Sequence, residues 1–387
     1  MKFSLGCITK SGRLGSIAEV DRIPSAVFET PLMLLTTKGG TVPHLTHETL
    51  SLLTSKTLAL QLPLASNLRA LPGTTLSKMN VAEFIGMKES LTFCCVNDPL
   101  TTLPGKFNNK NSVAVWTNSG RENVTPKSYM DIVEALRPDM YQTLCDSDTN
   151  SSGSNKRALH SVNTSMQFFQ YCLDRHKSSE VLGKSCILAS LVGGFSAESR
   201  LQMAKELAGE AVDGFVLEGF DAALTHGEAA DPDLVASLLR DTLKLLPEGK
   251  VRLLPGCWAP EALWRFVREG VDVFDSSLPT AAAERGAALT FGFDPHSKSF
   301  SYSCEEKENS ESKVYEISLK EKKYFDCLEP ILEGCKCVTC RNHTKAYLHH
   351  LLVTQELLGS VLLMMHNLHH YEEFFSKMRE AIRSEAT

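Results

Sequence analysis

The stretch Cys186–Val192, CILASLV, opens the run that decides the fold. After it come SAESRLQMAKEL (Ser196–Leu207), GFVL (Gly214–Leu217), Leu234–Leu245, VRLL (Val251–Leu254), PEALWRFVR (Pro260–Arg268) and VDVF (Val271–Phe274). Short apolar runs alternate with segments of helical period in units of roughly 30 residues, the signature of βαβ crossovers and a parallel sheet. The strands are apolar throughout instead of alternating, as burial on both faces requires. No GxGxxG opens a helix after a strand and no Walker motif occurs, which removes support from the dinucleotide and P-loop versions of an open sheet. The remaining solution is a (β/α)8 barrel.

The alternation extends upstream, less evenly. Ser112–Trp116 and Met140–Leu144 read as strands, Pro126–Leu136 as a helix with Thr125 at its N-cap, and Ala158–Arg175 as another helix. Ser11–Leu50 is a strand-rich opening, with Thr46 capping a short helix over 47–54. Leu62–Asn111 has weak periodicity and receives no assignment, and Ser147–Asn155 is a loop by composition.

In a barrel, functional side chains stand just beyond the C-terminal ends of the strands. Those positions hold Asp146, Val192-Gly193-Gly194, Glu218-Gly219, Gly256 and Asp275. A carboxylate there can act as nucleophile, acid or base; singly it is more often a loop cap. The paired glycines suit either close approach of a ligand or a tight turn.

Beyond Thr290 the pattern stops. Ser301–Ser312 is a charged insertion by composition, and Thr344–Ile382 is strongly helical, with His366, His369, His370 and Glu373 away from its apolar stripe. Between them lies Cys335-Lys336-Cys337-Val338-Thr339-Cys340. Three thiols so close cannot pair off as disulfides, and with one histidine they form a ligand set for a tetrahedral structural zinc. The spacing leaves two candidates for the fourth ligand, His343 nearby and His366 in the helical run.

Hydrophobic content of 43% and charged content of 22% are those of a globular protein. Net charge of −6 and a pI near 6.1 argue against a surface basic all over, as general nucleic-acid binders have. No apolar run reaches a membrane span, and MKFSLGCITKSGRLG does not read as a secretory signal, so an intracellular, cytoplasmic location is expected. Most of the 12 cysteines are then expected as reduced thiols.

Leu188–Gly286 resembles the tRNA-guanine transglycosylase family in LASLVGGFSAESRLQMAKELA, DGFVLEGF and LLPGCWAPEALWRFVREGVDVFDSSLPT. CKCVTCRNHTKAYLHHLL with LLMMHN is similar to the zinc segment of that family, and GRLGSIAEVDRIPSAVFETPLMLL and TPKSYMDIVEAL extend the likeness over most of the chain. The resemblance implies an irregular (β/α)8 barrel over residues 1–300. It also implies a zinc-binding helical subdomain over 301–387, integrated with the barrel, with one Zn2+ held by Cys335, Cys337, Cys340 and His366. Its members exchange the wobble guanine of certain tRNA anticodons for a deazaguanine, queuine in eukaryotes.

Matched position by position, the catalytic nucleophile falls on Asp275 and a base-recognising aspartate on Asp146. The DSGGFQ segment is missing, and nothing around nearby Asp98 replaces it. The glutamine of the family's QGG is Val192, the glycine-rich GGLAVGE has become GFDAALTHGE, and the two arginines of PTRxxRxG are Ala281 and Glu284. A retained barrel and zinc segment beside a degraded pocket imply a non-catalytic subunit with Asp275 vestigial. It would pair as a heterodimer with a catalytic queuine tRNA-ribosyltransferase subunit, help hold tRNA, and self-associate when alone. The likeness also admits peripheral association with mitochondria. Two alternatives carry weight at this stage: an active transglycosylase with Asp275 as nucleophile, and a zinc-stabilised scaffold unconnected with tRNA.

Overall fold

A computed structural model describes residues 1–54, 56–101, 107–149, 153–220, 231–302 and 315–386. The chain opens with an antiparallel sheet, β1 (Lys2–Thr9), β2 (Gly12–Ala18) and β3 (Phe28–Thr30). Barrel strand β4 (Leu32–Thr36) leads through the short helix α1 (His47–Ser51), which Thr46 caps with a capping box, to β5 (Ala59–Pro63). Three short helices, α2 (Leu64–Asn67), α3 (Leu71–Ser77) and α4 (Val81–Phe84), precede β6 (Leu91–Cys95).

Strands β7 (Val113–Thr117) and β8 (Gly120–Val124) pair as a hairpin outside the barrel. The regular part follows: α5 (Pro126–Leu136), β9 (Met140–Gln142), α6 (Asn155–Ser178), β10 (Cys186–Leu191), α7 (Ala197–Leu207), β11 (Gly214–Leu217), α8 (Pro232–Leu243), β12 (Val251–Leu253), α9 (Pro260–Arg268) and β13 (Val273–Asp275). Eight parallel strands close in the order β10-β11-β12-β13-β4-β5-β6-β9. The α/β barrel read from the alternation is therefore the architecture of the chain.

The stretch from Leu62 that receives no assignment holds the end of barrel strand β5 and all of β6, and Ser112–Trp116 forms a strand as read, at 113–117, but in a hairpin outside the barrel. Both follow from short broken helices replacing the long crossover helix whose period marks a βα unit. The charged insertion read at 301–312 lies mostly outside the described residues.

Two apolar layers hold the barrel. Inside it, Leu34, Phe93, Met140, Leu188, Val216, Leu253 and Val273 pack together, and Ile17, Val20, Ile23 and Phe28 join the same cluster from the N-terminal segment. Arg13 fixes that segment in place through a buried bidentate pair with Asp272, just before β13, with Nε–Oδ1 at 2.6 Å. Such a pair is retained when both charges keep their partners; removing one leaves a buried ion uncompensated.

After β13 come α10 (Ser277–Arg285), β14 (Ala287–Leu289), the hairpin β15 (Gly292–Asp294) and β16 (Ser299–Ser301), and β17 (Glu316–Ser318), which pairs with β14. Helices α11 (Val338–Asn342), α12 (Lys345–Val353) and α13 (Leu357–Ala386) finish the chain. Helix α13 is bound into the barrel by Asn367, whose Oδ1 accepts from Leu289 N–H at 2.9 Å while Nδ2 donates to Ala287 O at 3.0 Å and Pro279 O at 3.3 Å. Arg379 donates to Pro31 O at 2.7 Å, beside β4. Among the described residues no helix is long and apolar enough to cross a membrane.

Candidate metal centre and barrel mouth

Cys337 is the N-cap of α11, so the turn that starts this helix carries Cys335, Cys337 and Cys340 on one side. The Thr339 hydroxyl donates to Leu362 O at 2.7 Å and holds that turn against α13. His366, fully buried, projects from α13 with Nδ1 at 3.9, 3.5 and 3.3 Å from the sulfurs of Cys335, Cys337 and Cys340. All four ligand atoms lie within 4.8 Å of one another.

The bond lengths usual for zinc imply a tetrahedral S to N edge of about 3.6 Å, so the arrangement matches a single tetrahedral ion in size. The imidazole is already oriented: Nε2–H donates to Leu289 O at 2.9 Å, which leaves Nδ1 as the ligand nitrogen. Hydrogen bonds from Cys335 and Cys340 favour the thiolate at Cys337 and lower its pKa to about 3. These four residues can hold a metal ion. His343 stands elsewhere, stacked on Tyr347 with ring centroids 5.2 Å apart.

The four polar residues off the apolar stripe divide: His366 turns to the thiolates, His370 is buried, and His369 and Glu373 remain partly exposed or exposed. His370 is buried against Phe291, with ring centroids at 4.7 Å, and stacks on His366; burial lowers its pKa to about 3. His369 faces Glu373 at 3.5 Å. Periodicity alone could not separate a ligand and its packing neighbours from a solvated stripe.

At the barrel mouth the structure brings Asp146, Glu218 and Asp275 to the strand ends, all buried. Each is engaged by the chain itself. Asp275 Oδ2 accepts from Gly256 N–H at 2.7 Å, and Oδ1 accepts from Ser277 N–H at 2.9 Å and from the Ser277 hydroxyl. Burial outweighs these bonds and raises its pKa to about 6. Asp146 receives both Nη atoms of Arg157 at 2.7 Å and Asn108 Nδ2 at 2.9 Å. Glu218 accepts from Gln142 Nε2 at 3.1 Å, and burial pushes its carboxyl up as well. Asp98 caps its own turn through Leu100 N–H and the Thr101 hydroxyl, both at 3.0 Å.

Close packing continues around them. The Arg200 guanidinium donates to Gly194 O at 2.5 Å and Glu218 O at 2.7 Å and lies 3.5 Å from the Phe220 ring centre. A Cβ on Gly193, at φ +132°, would stand 2.9 Å from Arg200 N, and one on Gly194 would meet Thr149 at 3.0 Å. Gly193 and Gly194 therefore serve a tight βα turn. Val192 is fully buried, Ala281 is buried, Glu284 pairs with Lys38 at 2.8 Å, and Arg285 pairs with Glu316 at 2.9 Å. Sequence reasoning missed Arg157, Asn108 and Arg200, because nothing in their spacing ties them to the strand-end residues they saturate.

Against known proteins, the sequence profile of the queuine tRNA-ribosyltransferase family matches residues 7–387. The chain belongs to that family. Queuine tRNA-ribosyltransferase accessory subunit 2 of Homo sapiens is 39% identical to it over 406 residues, spanning 100% of this chain and 97% of its own length. The proteins of the same name from Pongo abelii and Gallus gallus are 38% and 37% identical, over 100% and 98% of this chain and 97% and 93% of theirs. In this queuine tRNA-ribosyltransferase family member the strand-end carboxylates of the barrel mouth already have donors from the chain itself.

Proposed function

We propose that the chain is a non-catalytic accessory subunit of a queuine tRNA-ribosyltransferase. It pairs with a catalytic subunit of the same family, which exchanges the wobble guanine of tRNA for queuine, and it assists in binding the tRNA. The observation that carries this reading is the state of Asp275: its carboxylate is fully buried, and both oxygens are held by Gly256 and Ser277. A nucleophile for a sugar carbon must present its carboxylate to the substrate, which burial of this group among three hydrogen bonds from its own chain disfavours. The names of the full-length relatives agree.

The ion at Cys335, Cys337, Cys340 and His366 is a structural Zn2+, since three thiolates and one imidazole form a closed, soft tetrahedral set. The face around it serves assembly. Three large apolar side chains of the C-terminal part, Phe325, Leu328 and Leu357, are 72%, 78% and 75% exposed and could enter such a contact. The same face would support a homodimer of the isolated chain. A cytoplasmic location, with peripheral association at mitochondria, fits this role.

The test is base exchange into tRNA with labelled queuine or guanine, using this chain alone, the catalytic subunit alone and both together. Exchange only when both are present is expected. Incorporation by this chain alone would instead establish an active site built on Asp275.

A further inference from the structure

At the end of the barrel opposite its mouth, the β1–β2 turn and the segments after α8 and α9 border an open cavity of about 260 Å³. Arg13, Arg240, Lys244, Arg252 and Arg268 line it, against Glu248 and Glu269. Three of these cations have carboxylate partners. Arg13 is held by Asp272, Arg240 by Glu269 at 2.5 and 2.9 Å, and Lys244 by Asp241 at 3.2 Å. Arg252 and Arg268 make no ion pair among the described residues.

The common role of such cations is to answer the negative ends of helices, which suits Arg240 and Lys244 at the end of α8 and Arg268 at the end of α9. Arg252 shares part of that role at the end of α8. It comes from β12, is only 6% exposed, and meets the carbonyls of Leu243, Leu246 and Gly270 at a long 3.2–3.4 Å. Its Nε has no hydrogen-bond partner. The carboxylates of Asp272 and Glu248 offset part of its charge, yet burial together with the neighbouring Arg13 pulls its pKa down to about 10. An anion in the cavity would add a counter-charge for Arg252 and for Arg268, which makes no ion pair among the described residues.

We propose that this cavity is a phosphate site, in which Arg252 and Arg268 supply the charge for a phosphomonoester or phosphodiester group. Guanidinium groups suit such ligands because their N–H bonds match the spacing of phosphate oxygens. The site lies away from the barrel mouth and does not depend on whether that mouth is catalytic. Its ligand has two sources, a free phosphate compound or the backbone of a bound RNA.

Titration calorimetry of the full chain with inorganic phosphate, at ionic strength fixed with chloride, tests the first source. Saturable binding at one site is expected, weakened at least about tenfold in Arg268→Glu, a loss of about 1.4 kcal/mol. Arg268 is exposed and makes no ion pair, so its variant should melt with the wild type; Arg252→Gln is the second variant, read only if its melting is retained. Binding of tRNA by the assembled complex tests the second. There Arg268→Glu should lower the slope of log affinity against log salt by about 1 while inorganic phosphate binds weakly. If Arg268→Glu changes neither phosphate binding nor the salt dependence of tRNA binding, the proposal is wrong.

Discussion

The Cys335–Cys340 turn with His366 and the mouth of the barrel are both buried clusters of reactive side chains, yet their polar groups end differently. In the first, three sulfurs and Nδ1 of His366 converge on one point from two separate elements, and their combined negative charge calls for a cation. In the second, Asp146, Glu218 and Asp275 stand where an enzyme of this architecture keeps its reacting groups, but Arg157, Asn108, Gln142, Gly256 and Ser277 occupy their oxygens. Identity of residues does not separate the two clusters; the direction of their lone pairs does. Where ligand atoms from separate elements converge within 4.8 Å a cation is implied, and where each carboxylate is turned to donors of the chain itself the cluster holds the fold.

The largest effect that should follow is at the metal end. Cys337→Ser removes one of four ligands and hands back part of the metal-linked folding energy, apparently about 10–16 kcal/mol for structural zinc in small peptides. The variant is expected to lose bound zinc, to loosen α11 from α13 and to lower the melting temperature of the chain. Zinc content and a thermal scan would check this, and unchanged values for both would remove the metal from the account.

A smaller loss is expected where the two regions are joined. Asn367 satisfies three backbone groups from Pro279, Ala287 and Leu289, and Asn367→Ala leaves them buried and unpaired. The cost should be about 3 kcal/mol, from buried groups that lose about 1–3 kcal/mol each with partial relaxation. Urea denaturation would measure it. Zinc content should stay at the wild-type level, because no ligand is touched; a loss of metal would mean that Asn367 positions His366 directly.

At the mouth the expected signal is a pH dependence. Asp275 has its pKa raised from 3.8 to about 6 in the folded chain. Its neutral form is therefore favoured by folding, so the native state holds more protons than the unfolded chain between those values. Stability falls as pH rises through that window and the penalty is complete above it, on the order of 2–3 kcal/mol. Asp275→Asn should remove this slope. Comparing wild type and variant by denaturation at pH 4.5 and 7.5 isolates it from other titrating groups. Parallel curves would show that the carboxyl is solvated and its environment is not the buried one described here.

How much of this was readable beforehand depended on distance along the chain. The units from Cys186 to Phe274 were legible because each strand and helix carries its own period, and α9 and β11 begin and end where the residues alone place them. β5 and β6 were not, because α2, α3 and α4 are too short to show a helical period and Pro63 and Pro72 interrupt it. The spacing of Cys335, Cys337 and Cys340 was a local signal. Its fourth partner was not, since only the packing of α13 on α11 separates His366 from His343. The strand-end aspartates were legible as positions, whereas Asn108 and Arg157, which donate to Asp146, reach it by tertiary packing and leave no pattern in the sequence.

The smallest expected effect is the most discriminating. Asp275→Ala in this chain, assembled with a catalytic subunit, should leave the rate of base exchange within about twofold, since removing a group that contacts no substrate changes no transition-state interaction. The alanine loses the acceptors for Gly256 N–H and Ser277 N–H, so a modest fall in melting temperature is expected beside the unchanged rate. That pairing of readouts separates the two readings of the mouth. A nucleophile would show the reverse, a fall of several orders of magnitude in rate with assembly and melting barely altered, because catalytic groups are held at some cost to stability. A loss of rate that tracks loss of assembly would instead locate the effect in the subunit contact and leave Asp275 structural.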